Sequence, residues 1–215
     1  MWGYKNQMKD ISAIWHNFAE KNRLSERQLQ QFEEYYRLLI EANELFNITT
    51  ITDLAAVIAY HFEDSFRVRE VIDFNNITAI CDVGTGGGFP GIPLKILFPH
   101  LHVTLLEVSL KKLAFLQQVI EQLGLTGIET DGRDWRSFLR AGDKKIDLFC
   151  SRASLHPDEL IRIFSLSSPY KDARLVYWAS REWQAGPKEA RYLKNCHAYT
   201  VGERQRAYCI FSRAS

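Results

Sequence analysis

The sequence predicts an α/β protein with a doubly wound, mainly parallel β-sheet, and three observations support this prediction. Short β-rich apolar segments alternate with helical segments after residue 73. The first such strand leads directly into a glycine-rich loop, as in doubly wound sheets that bind ligands beyond their carboxyl ends. Two strands separated by a turn at Gly202 lie close together near residue 215, which indicates a final antiparallel hairpin with an antiparallel last strand.

An N-terminal helical extension is predicted before the sheet, as a cap over residues 1–72. Apolar residues recur at helical spacing from about Ile11 to Phe46. Ser25, with Gln28 three residues later, resembles a capping box at the start of a helix. The segment N-I-T-T interrupts the pattern, and a further helix is predicted over Leu54–Ile72.

The second predicted unit is a Rossmann-like domain over residues 73–215. Its strands are expected, in chain order, at Ile77–Val83, Val103–Glu107, Ile128–Thr130, Ile146–Cys150, Arg174–Trp178, Ala198–Val201 and Ala207–Phe211. Helices are expected at Pro93–Phe98 and at Lys111–Leu123, the second ending at Gly124.

The composition is that of a soluble globular protein. The 215 residues are 46% hydrophobic and 25% charged, with a net charge of +1. No segment approaches the roughly 18 apolar residues of a membrane span, and the first residues are polar, so we expect no signal peptide, no membrane partner and a cytoplasmic monomer. The four cysteines are scattered without a C-x-x-C pair, which predicts buried reduced thiols and no metal site.

The loop CDVGTGGGFPGIPL, residues 81–94, fits two ligand-binding patterns. Asp82, Gly84, Gly86 and Gly88 form D-x-G-x-G-x-G, while the later glycines also satisfy the dinucleotide pattern G-x-G-x-x-G. Both patterns place an acidic residue about twenty positions further on, where a carboxylate accepts hydrogen bonds from a ribose, and Glu107 lies there.

Physical chemistry favours S-adenosylmethionine over a dinucleotide, with a structural glycine turn as a third alternative. A pyrophosphate needs backbone N–H groups at the helix N-terminus, and Pro90 and Pro93 each remove one. The negative charge of Asp82 repels a pyrophosphate but attracts an ammonium and a sulfonium. The glycines then allow close approach of the ligand, and Phe89 is available to pack against it.

These residues resemble a known family. The segments DVGTGGGFPGIPL and VTLLEVSLKKLAFLQQV are similar to the bacterial small-subunit (16S) ribosomal RNA guanine-N7 methyltransferases, also called the glucose-inhibited division protein B family. Further similarities are N-I-T at residues 47–49, H-x-x-D-S at 61–65 and S-R-A at 151–153. The resemblance implies a class I S-adenosylmethionine-dependent methyltransferase fold, with 16S ribosomal RNA or the small ribosomal subunit as partner.

The resemblance also implies residue roles. It places Gly84 and Phe89 on the cofactor, Glu107 near its ribose and Arg152 at a further cofactor position. The pair Asp134-Trp135 matches the residues that flank the adenine, and Trp135 offers a flat apolar face for that purpose, although it is alternatively a buried anchor for the following helix.

Guanine N7 has a lone pair and no proton to lose, so its methylation needs positioning and no general base. Arginine recognises guanine O6, and Arg133 and Arg152 are predicted near the strand ends. Asn47 and His61 are predicted to close the pocket from the cap, although a histidine on a helix is more often structural.

The sequence departs from the family at the end of the fifth strand. The family's lysine is replaced there by Ala179, followed by Ser180, and Arg204 and Arg206 are the nearby basic residues that could supply the charge. A methyltransferase acting on a small molecule or protein, and a non-enzymatic remnant, therefore remain as alternatives. A basic stripe beside the cofactor site would favour RNA.

Overall fold

The structure is a computed structural model that describes residues 2–152 and 154–213, with side chains from residue 11 onward. Within these residues the strands are β1 Ala79–Val83, β2 His102–Leu106, β3 Ile128–Asp131, β4 Leu148–Arg152, β5 Arg174–Ser180, β6 Leu193–Val201 and β7 Arg204–Phe211. They form a seven-stranded sheet in the order β3-β2-β1-β4-β5-β7-β6. Neighbours from β3 to β5 are parallel, and β7 is antiparallel to both β5 and β6. The predicted doubly wound fold with a final hairpin is confirmed.

Helices cover both faces of the sheet. Their bounds are α1 Trp2–Asn22, α2 Glu26–Leu45, α3 Leu54–Val57, α4 Asp64–Phe66, α5 Gly91–Leu97, α6 Leu110–Gln122, α7 Trp135–Ala141 and α8 Pro157–Leu160. Side chains of β1 alternate between two apolar clusters, with Ile80 in one and Cys81 in the other. The first cluster contains residues of α1, α2 and α5, and the second contains residues of α7 and α8. Burial on both faces explains why β1 is apolar almost throughout.

The cap consists of two long helices and a series of short turns. The predicted capping box is confirmed, since the Ser25 hydroxyl accepts from Gln28 N and the Gln28 side chain accepts from Ser25 N. The cap is not a separate globule, because Phe18 and Phe32 belong to the same buried cluster as Val103 and Leu105 of the sheet. The boundary at residues 72 and 73 stays a prediction.

The predicted helix over Leu54–Ile72 is confirmed as a helical segment as far as Glu70, but it is not one regular α-helix. After α3 the chain forms a π-helical segment at Ile58–Glu63, then α4, then a 3-10 helix at Arg67–Glu70. The wider π turn shifts the side-chain spacing away from 3.6 residues, so that nearly consecutive side chains are buried. These are His61, Phe62, Asp64, Ser65 and Phe66.

The thiol prediction is correct for two cysteines and wrong for two. Cys81 and Cys150 are buried and free, and burial raises the pKa of both thiols. Cys196 and Cys209 face each other across β6 and β7 and form a disulfide. The two cysteines are 13 residues apart in the sequence, and this spacing alone does not predict a disulfide. Only the hairpin register brings their Cα atoms to 4.2 Å.

Strand ends also differ from the prediction. β6 begins at Leu193, five residues before the predicted start at Ala198, and it is irregular between Leu193 and Asn195. Most side chains at its start are exposed and polar, so hydrophobic alternation could not reveal it. None of the helices described is both long enough and apolar enough to cross a membrane.

Candidate functional site

A cavity of about 650 Å³ opens at the carboxyl ends of β1, β2 and β4. This is where ligands bind in doubly wound sheets. Predicted site residues on its wall are Gly84, Gly86, Glu107, Arg133, Asp134, Trp135 and Arg152. Asn47, His61, Asp82, Gly88 and Phe89 are not on the wall. The structure therefore brings one part of the predicted set together around one cavity and places the other part behind it or away from it.

The first half of the glycine loop faces the cavity. Gly84 and Gly86 have φ of +65° and +61°, a backbone conformation that favours glycine. A Cβ on Gly84 would lie 2.2 Å from Cβ of Ser154, whereas a Cβ on Gly86 would meet no atom within 4 Å. Gly86 thus leaves free space for a ligand to approach the backbone.

Glu107 joins this half of the loop to the end of β2. Its side chain is buried, Oε2 accepts a hydrogen bond from Gly86 N at 3.1 Å, and Oε1 accepts from Ser109 N at 2.9 Å. A carboxylate oxygen has two lone pairs, so each oxygen retains one acceptor position. Since Glu107 lines the cavity, these positions suit the two hydroxyls of a ribose.

Asp82 supports the second half of the loop from beneath. Its Oδ2 accepts from the Thr85 hydroxyl at 2.6 Å and from Gly91 N at 2.8 Å. Its Oδ1 is buried without a hydrogen-bond partner among the residues described. Burial raises the pKa of the Asp82 carboxyl to about 6, above its ordinary value, so it is mostly ionised at neutral pH.

The N-terminus of α5 has no backbone donor left for a phosphate. Gly91 N donates to Asp82, Ile92 N donates to the Gly88 carbonyl at 2.8 Å, and Leu94 N donates to the Pro90 carbonyl at 3.1 Å. Pro93 has no N–H. The accounting for residues 91–94 agrees with the sequence argument against a pyrophosphate at this position.

Gly88 and Phe89 pack against the cap. A Cβ on Gly88 would lie 2.6 Å from the Tyr35 hydroxyl and 2.5 Å from Ile92 Cδ1. The Phe89 ring stacks on Tyr35 and on His61, with centroid distances of 5.3 and 4.5 Å. The predicted contact of Phe89 with a ligand therefore stays a prediction, because the ring lies behind the cavity wall.

The segments that carry the family resemblance converge on Arg152. Its Nη1 donates to the Tyr60 carbonyl at 3.0 Å and lies 3.3 Å from Asp64 Oδ2, and its Nη2 lies 3.2 Å from His61 Nδ1. The guanidinium also lies over Phe89, with Cζ 5.2 Å from the ring centroid. Residues 61–65, 89 and 151–152 therefore form one connected cluster beside the cavity; Ala153 lies outside the described residues.

His61 and Asn47 have different surroundings. His61 is buried, and its Nε2 lies 2.8 Å from the Thr49 hydroxyl. Burial and the nearby Arg152 lower the pKa of His61 to about 3, so the imidazole is neutral at physiological pH. Asn47 is exposed in the loop after α2. Neither side chain reaches the cavity wall, so closure of the pocket by these two residues stays a prediction.

The opposite wall begins with Arg133, whose guanidinium is held by two carboxylates. It binds Asp131 at 2.5 Å and Asp143 at 3.0 Å. These hydrogen bonds raise the pKa of Arg133 and lower the pKa of both aspartates. These bonds use Nε, both N–H groups of Nη2 and one of Nη1, so one N–H of Arg133 is left for a ligand.

Asp134 and Trp135 complete that wall. The Asp134 carboxylate caps α7 by accepting from Arg136 N and Ser137 N, and the hydrogen bonds to Ser137 are the main reason that its pKa is lowered. Trp135 is 6% exposed, and its Nε1 donates to the Glu159 carbonyl at 2.8 Å. Trp135 thus anchors α7 and also lines the cavity. Its predicted place beside the adenine stays a prediction.

Sequence analysis did not identify several wall residues. Val108, Arg136, Ser154 and Leu155 also line the cavity. Each lies just after a strand that had been identified or at the start of the next helix, so its position along the chain was the available indication. Arg206 was named from the sequence only as a source of positive charge, and the contacts of Tyr199 and Arg206 with Asp64 were beyond prediction because they depend on the register of β6 and β7.

Comparison with known proteins gives one family. The sequence matches the family described as rRNA small subunit methyltransferase G (GidB) over residues 28–196. The ribosomal RNA small subunit methyltransferase G of an Exiguobacterium species is 48% identical over 123 residues, which are 57% of this chain and 50% of the relative. The protein of that name from Bacillus subtilis is 47% identical over 117 residues, or 54% and 49% of the two chains. The chain thus spans about half the length of the curated relatives it matches.

Solved structures share the fold at low identity. Mycoplasma capricolum TrmK, solved with S-adenosylhomocysteine, superposes with a TM-score of 0.52 and 20% identity, covering 69% of this chain and 68% of that chain. This likeness shows the class I methyltransferase fold.

Proposed function

The chain belongs to the rRNA small subunit methyltransferase G family, and on that premise we propose that it transfers a methyl group from S-adenosylmethionine to N7 of a guanosine in 16S ribosomal RNA. The family, the fold and the geometry of the cavity support this proposal together. The observation that carries it is the pairing of Gly86 with Glu107 at the open end of the cavity.

The cavity residues suit an adenosine that carries no phosphate. Gly86 leaves room against the backbone, Glu107 keeps an acceptor position on each oxygen for the ribose hydroxyls, and Trp135 offers an apolar surface near the adenine. The start of α5, which lies away from the cavity wall, has no free backbone N–H at residues 91–94, so it does not offer the phosphate site that a dinucleotide uses. We therefore assign the ribose to Glu107 and the adenine to the wall formed by Asp134 and Trp135.

Two charged side chains, Asp82 and Arg152, suit the methionine part of S-adenosylmethionine. The ionised Asp82 beneath the loop has one oxygen without a partner among the described residues, and its negative charge favours a cation nearby. Arg152, on the wall at the end of β4, presents a guanidinium that can pair with a carboxylate. When bound, S-adenosylmethionine supplies an activated methyl group on a sulfonium.

The chain's contribution to the reaction is positioning. Guanine N7 is nucleophilic without losing a proton, and the neutral His61 is sequestered by Thr49, so no general base is assigned. Arg152 is the arginine placed best to donate to guanine O6 as the base approaches. Arg133 is less suited to this task, because two carboxylates, Asp131 and Asp143, offset its charge and leave it one free N–H.

RNA is the proposed substrate, on the assembled small subunit or free in the cytoplasm. A stripe of four basic residues, Lys112, Arg133, Arg136 and Arg152, borders the cavity, but three acidic residues, Glu107, Asp134 and Glu159, line it as well. The support for a phosphate backbone as partner therefore comes chiefly from the family. The two basic residues of the last hairpin contribute less to that stripe, since Arg206 pairs with Asp64 and Arg204 stacks over Tyr60.

The test uses small subunits from cells that lack the modification. These are mixed with the protein and S-adenosylmethionine labelled in the methyl group, and the label is mapped by nuclease digestion and mass spectrometry. We expect 7-methylguanosine at one position. A Glu107→Gln variant should lose most of the label. The control is Glu129→Gln on β3, which removes a carboxylate paired with Lys144 and should keep the label.

Label in protein or in a small molecule would instead support a methyltransferase with another substrate. Absence of both label and S-adenosylhomocysteine binding would support a non-enzymatic remnant and refute the proposal.

A further inference from the structure

Asp64 is a buried carboxylate to which the proposed reaction gives no direct part. It is 1% exposed and lies between the cap, β4 and the last hairpin. Its Oδ2 faces Arg152, with Nη1 at 3.3 Å. Its Oδ1 accepts from the Tyr199 hydroxyl at 2.5 Å and lies 3.4 Å from Arg206 Nε. One carboxylate is therefore shared by two guanidiniums and a phenol.

The two arginines have different access to the cavity. Arg152 lines it, whereas Arg206 is on β7, opposite Ser180 of β5, and is not on its wall. Arg206 Nε is buried without a hydrogen-bond partner among the residues described, so its contact with Asp64 is a charge interaction only. Tyr199 supplies the directional bond to Asp64 Oδ1, and its ring is fixed by stacking on Tyr208 at a centroid distance of 4.0 Å.

The other groups that contact the Arg152 guanidinium carry no negative charge. They are the Tyr60 carbonyl, the neutral His61 and the face of Phe89. Among the described residues, Asp64 is the carboxylate that pairs with Arg152. Hydrogen bonds between ionised groups are stronger than those between neutral groups. The direction of the guanidinium at the cavity wall thus depends on where Asp64 is held.

We propose that Asp64 is a positioning residue that orients Arg152 at the cavity wall, and that Tyr199 of the last hairpin holds Asp64 for this task. The inference rests on the proposed function only for the identity of the ligand that Arg152 meets. It gives the hairpin, which lies outside the cavity, a part in shaping the site.

The test measures the freedom of Arg152 directly. Phenylglyoxal modifies accessible guanidiniums, and its rate at Arg152 is measured by peptide mass spectrometry. Arg133 on the opposite wall, held by Asp131 and Asp143, is the internal reference. The main variant is Tyr199→Phe, which removes one hydroxyl and keeps the stacked ring. Its matched control is Tyr36→Phe, which removes a hydroxyl that donates to the Thr52 carbonyl at 3.0 Å in the cap.

We expect the labelling of Arg152 relative to Arg133 to rise about fivefold in Tyr199→Phe, equivalent to about 1 kcal/mol, the net size of one typical hydrogen bond. The affinity for S-adenosylhomocysteine, measured by calorimetry, should fall by a similar factor. Tyr36→Phe should change neither. Asp64→Asn should give a larger rise, of about tenfold or more, where it folds.

Each outcome decides one of the two proposals. If the labelling ratio in Tyr199→Phe equals that of the wild type, the positioning role is refuted, even if the melting temperature falls. Where the wild type binds S-adenosylhomocysteine, an unchanged affinity in Tyr199→Phe refutes the role as well. If the wild type binds no S-adenosylhomocysteine, the proposed function fails, and the labelling ratio alone still decides the role of Asp64.

Discussion

The two halves of the glycine loop both contain two glycines of the motif but have opposite surroundings. Gly84 and Gly86 border the cavity, and a Cβ on Gly86 would project into empty space. Gly88 and Gly91 lie away from it, where a Cβ would collide with Ile92 or with Leu105. A glycine fingerprint therefore combines positions that admit a ligand with positions that admit neighbouring parts of the protein. Gly84 has both properties, because it borders the cavity and a Cβ on it would lie 2.2 Å from Cβ of Ser154. The contrast is therefore drawn between Gly88, which should control stability, and Gly86, which should control binding.

The largest expected effect is on stability, in the second half of the loop. Gly88→Ala places a Cβ 2.5 Å from Ile92 Cδ1 at a φ of +99°. Overpacking and backbone strain together should cost about 3 kcal/mol of the free energy of unfolding. Calorimetry should show the melting temperature falling by about 10 °C. A wild-type melting temperature would show that the loop relaxes freely and would remove the distinction between the halves.

The next largest effect is on ligand binding at Glu107, whose carboxylate accepts a hydrogen bond from Gly86 in the first half of the loop. Glu107→Gln keeps the shape of the side chain but loses the charge that strengthens its hydrogen bonds. The dissociation constant of S-adenosylhomocysteine should rise about thirtyfold, equivalent to about 2 kcal/mol. Isothermal titration calorimetry measures it, with Glu129→Gln as the control. Equal affinities in the two variants would mean that Glu107 does not contact the ligand.

Gly86→Ala separates binding from stability within the first half. The added Cβ meets no protein atom, so the φ of +61° is its main cost, about 1 kcal/mol. We expect the melting temperature to fall by only about 3 °C. Affinity for S-adenosylhomocysteine should fall about tenfold because the methyl group enters the cavity. The reverse pattern, a large loss of stability with unchanged affinity, would place Gly86 with Gly88.

The smallest effect is a pH dependence that comes from Asp82, beneath the second half. Its pKa is about 6 in the folded protein, against about 3.9 in an unfolded chain, so folding favours the protonated form. This contribution to stability is fully present below about pH 4 and is lost as pH rises through 6. The free energy of unfolding of the wild type, minus that of Asp82→Asn, should therefore fall by about 1 kcal/mol between pH 5 and 6.5.

Urea titrations at several pH values measure this difference. The contribution of His61 has the opposite sign, because its folded pKa of about 3 is below the unfolded value, and its stability is lost as pH falls. It is present in both proteins and cancels in the subtraction. A difference that rises with pH would show that the Asp82 carboxyl is stabilised in its ionised form.

The sequence predicted those features that depend on neighbouring residues. The capping box of Ser25 and Gln28, the turn at Gly202 and the identity of each parallel strand follow from local chemistry, and the structure agrees. Glu107 was also correctly placed at the strand end, because spacing along the chain fixes the end of β2 beside the end of β1.

Features that depend on distant pairing were not predictable. The π-helical segment that buries His61 and Asp64 cannot be distinguished from an α-helix by apolar spacing. The disulfide between Cys196 and Cys209, and the contact of Tyr199 with Asp64, need the register of the last hairpin. For the same reason the pattern could not tell that Gly88 faces Tyr35 while Gly86 faces the cavity.

The saturated first turn of α5 has a consequence for competition inside a cell. ATP, NAD and their relatives are abundant and share an adenosine with the proposed methyl donor, so the nucleoside part alone offers little discrimination. Because the Asp82 carboxylate already takes the N–H of Gly91, and prolines occupy two positions of that turn, a triphosphate finds charge repulsion where other nucleotide-binding proteins offer attraction. The start of α5 therefore offers a phosphate no backbone donor, whatever group the ligand carries for transfer.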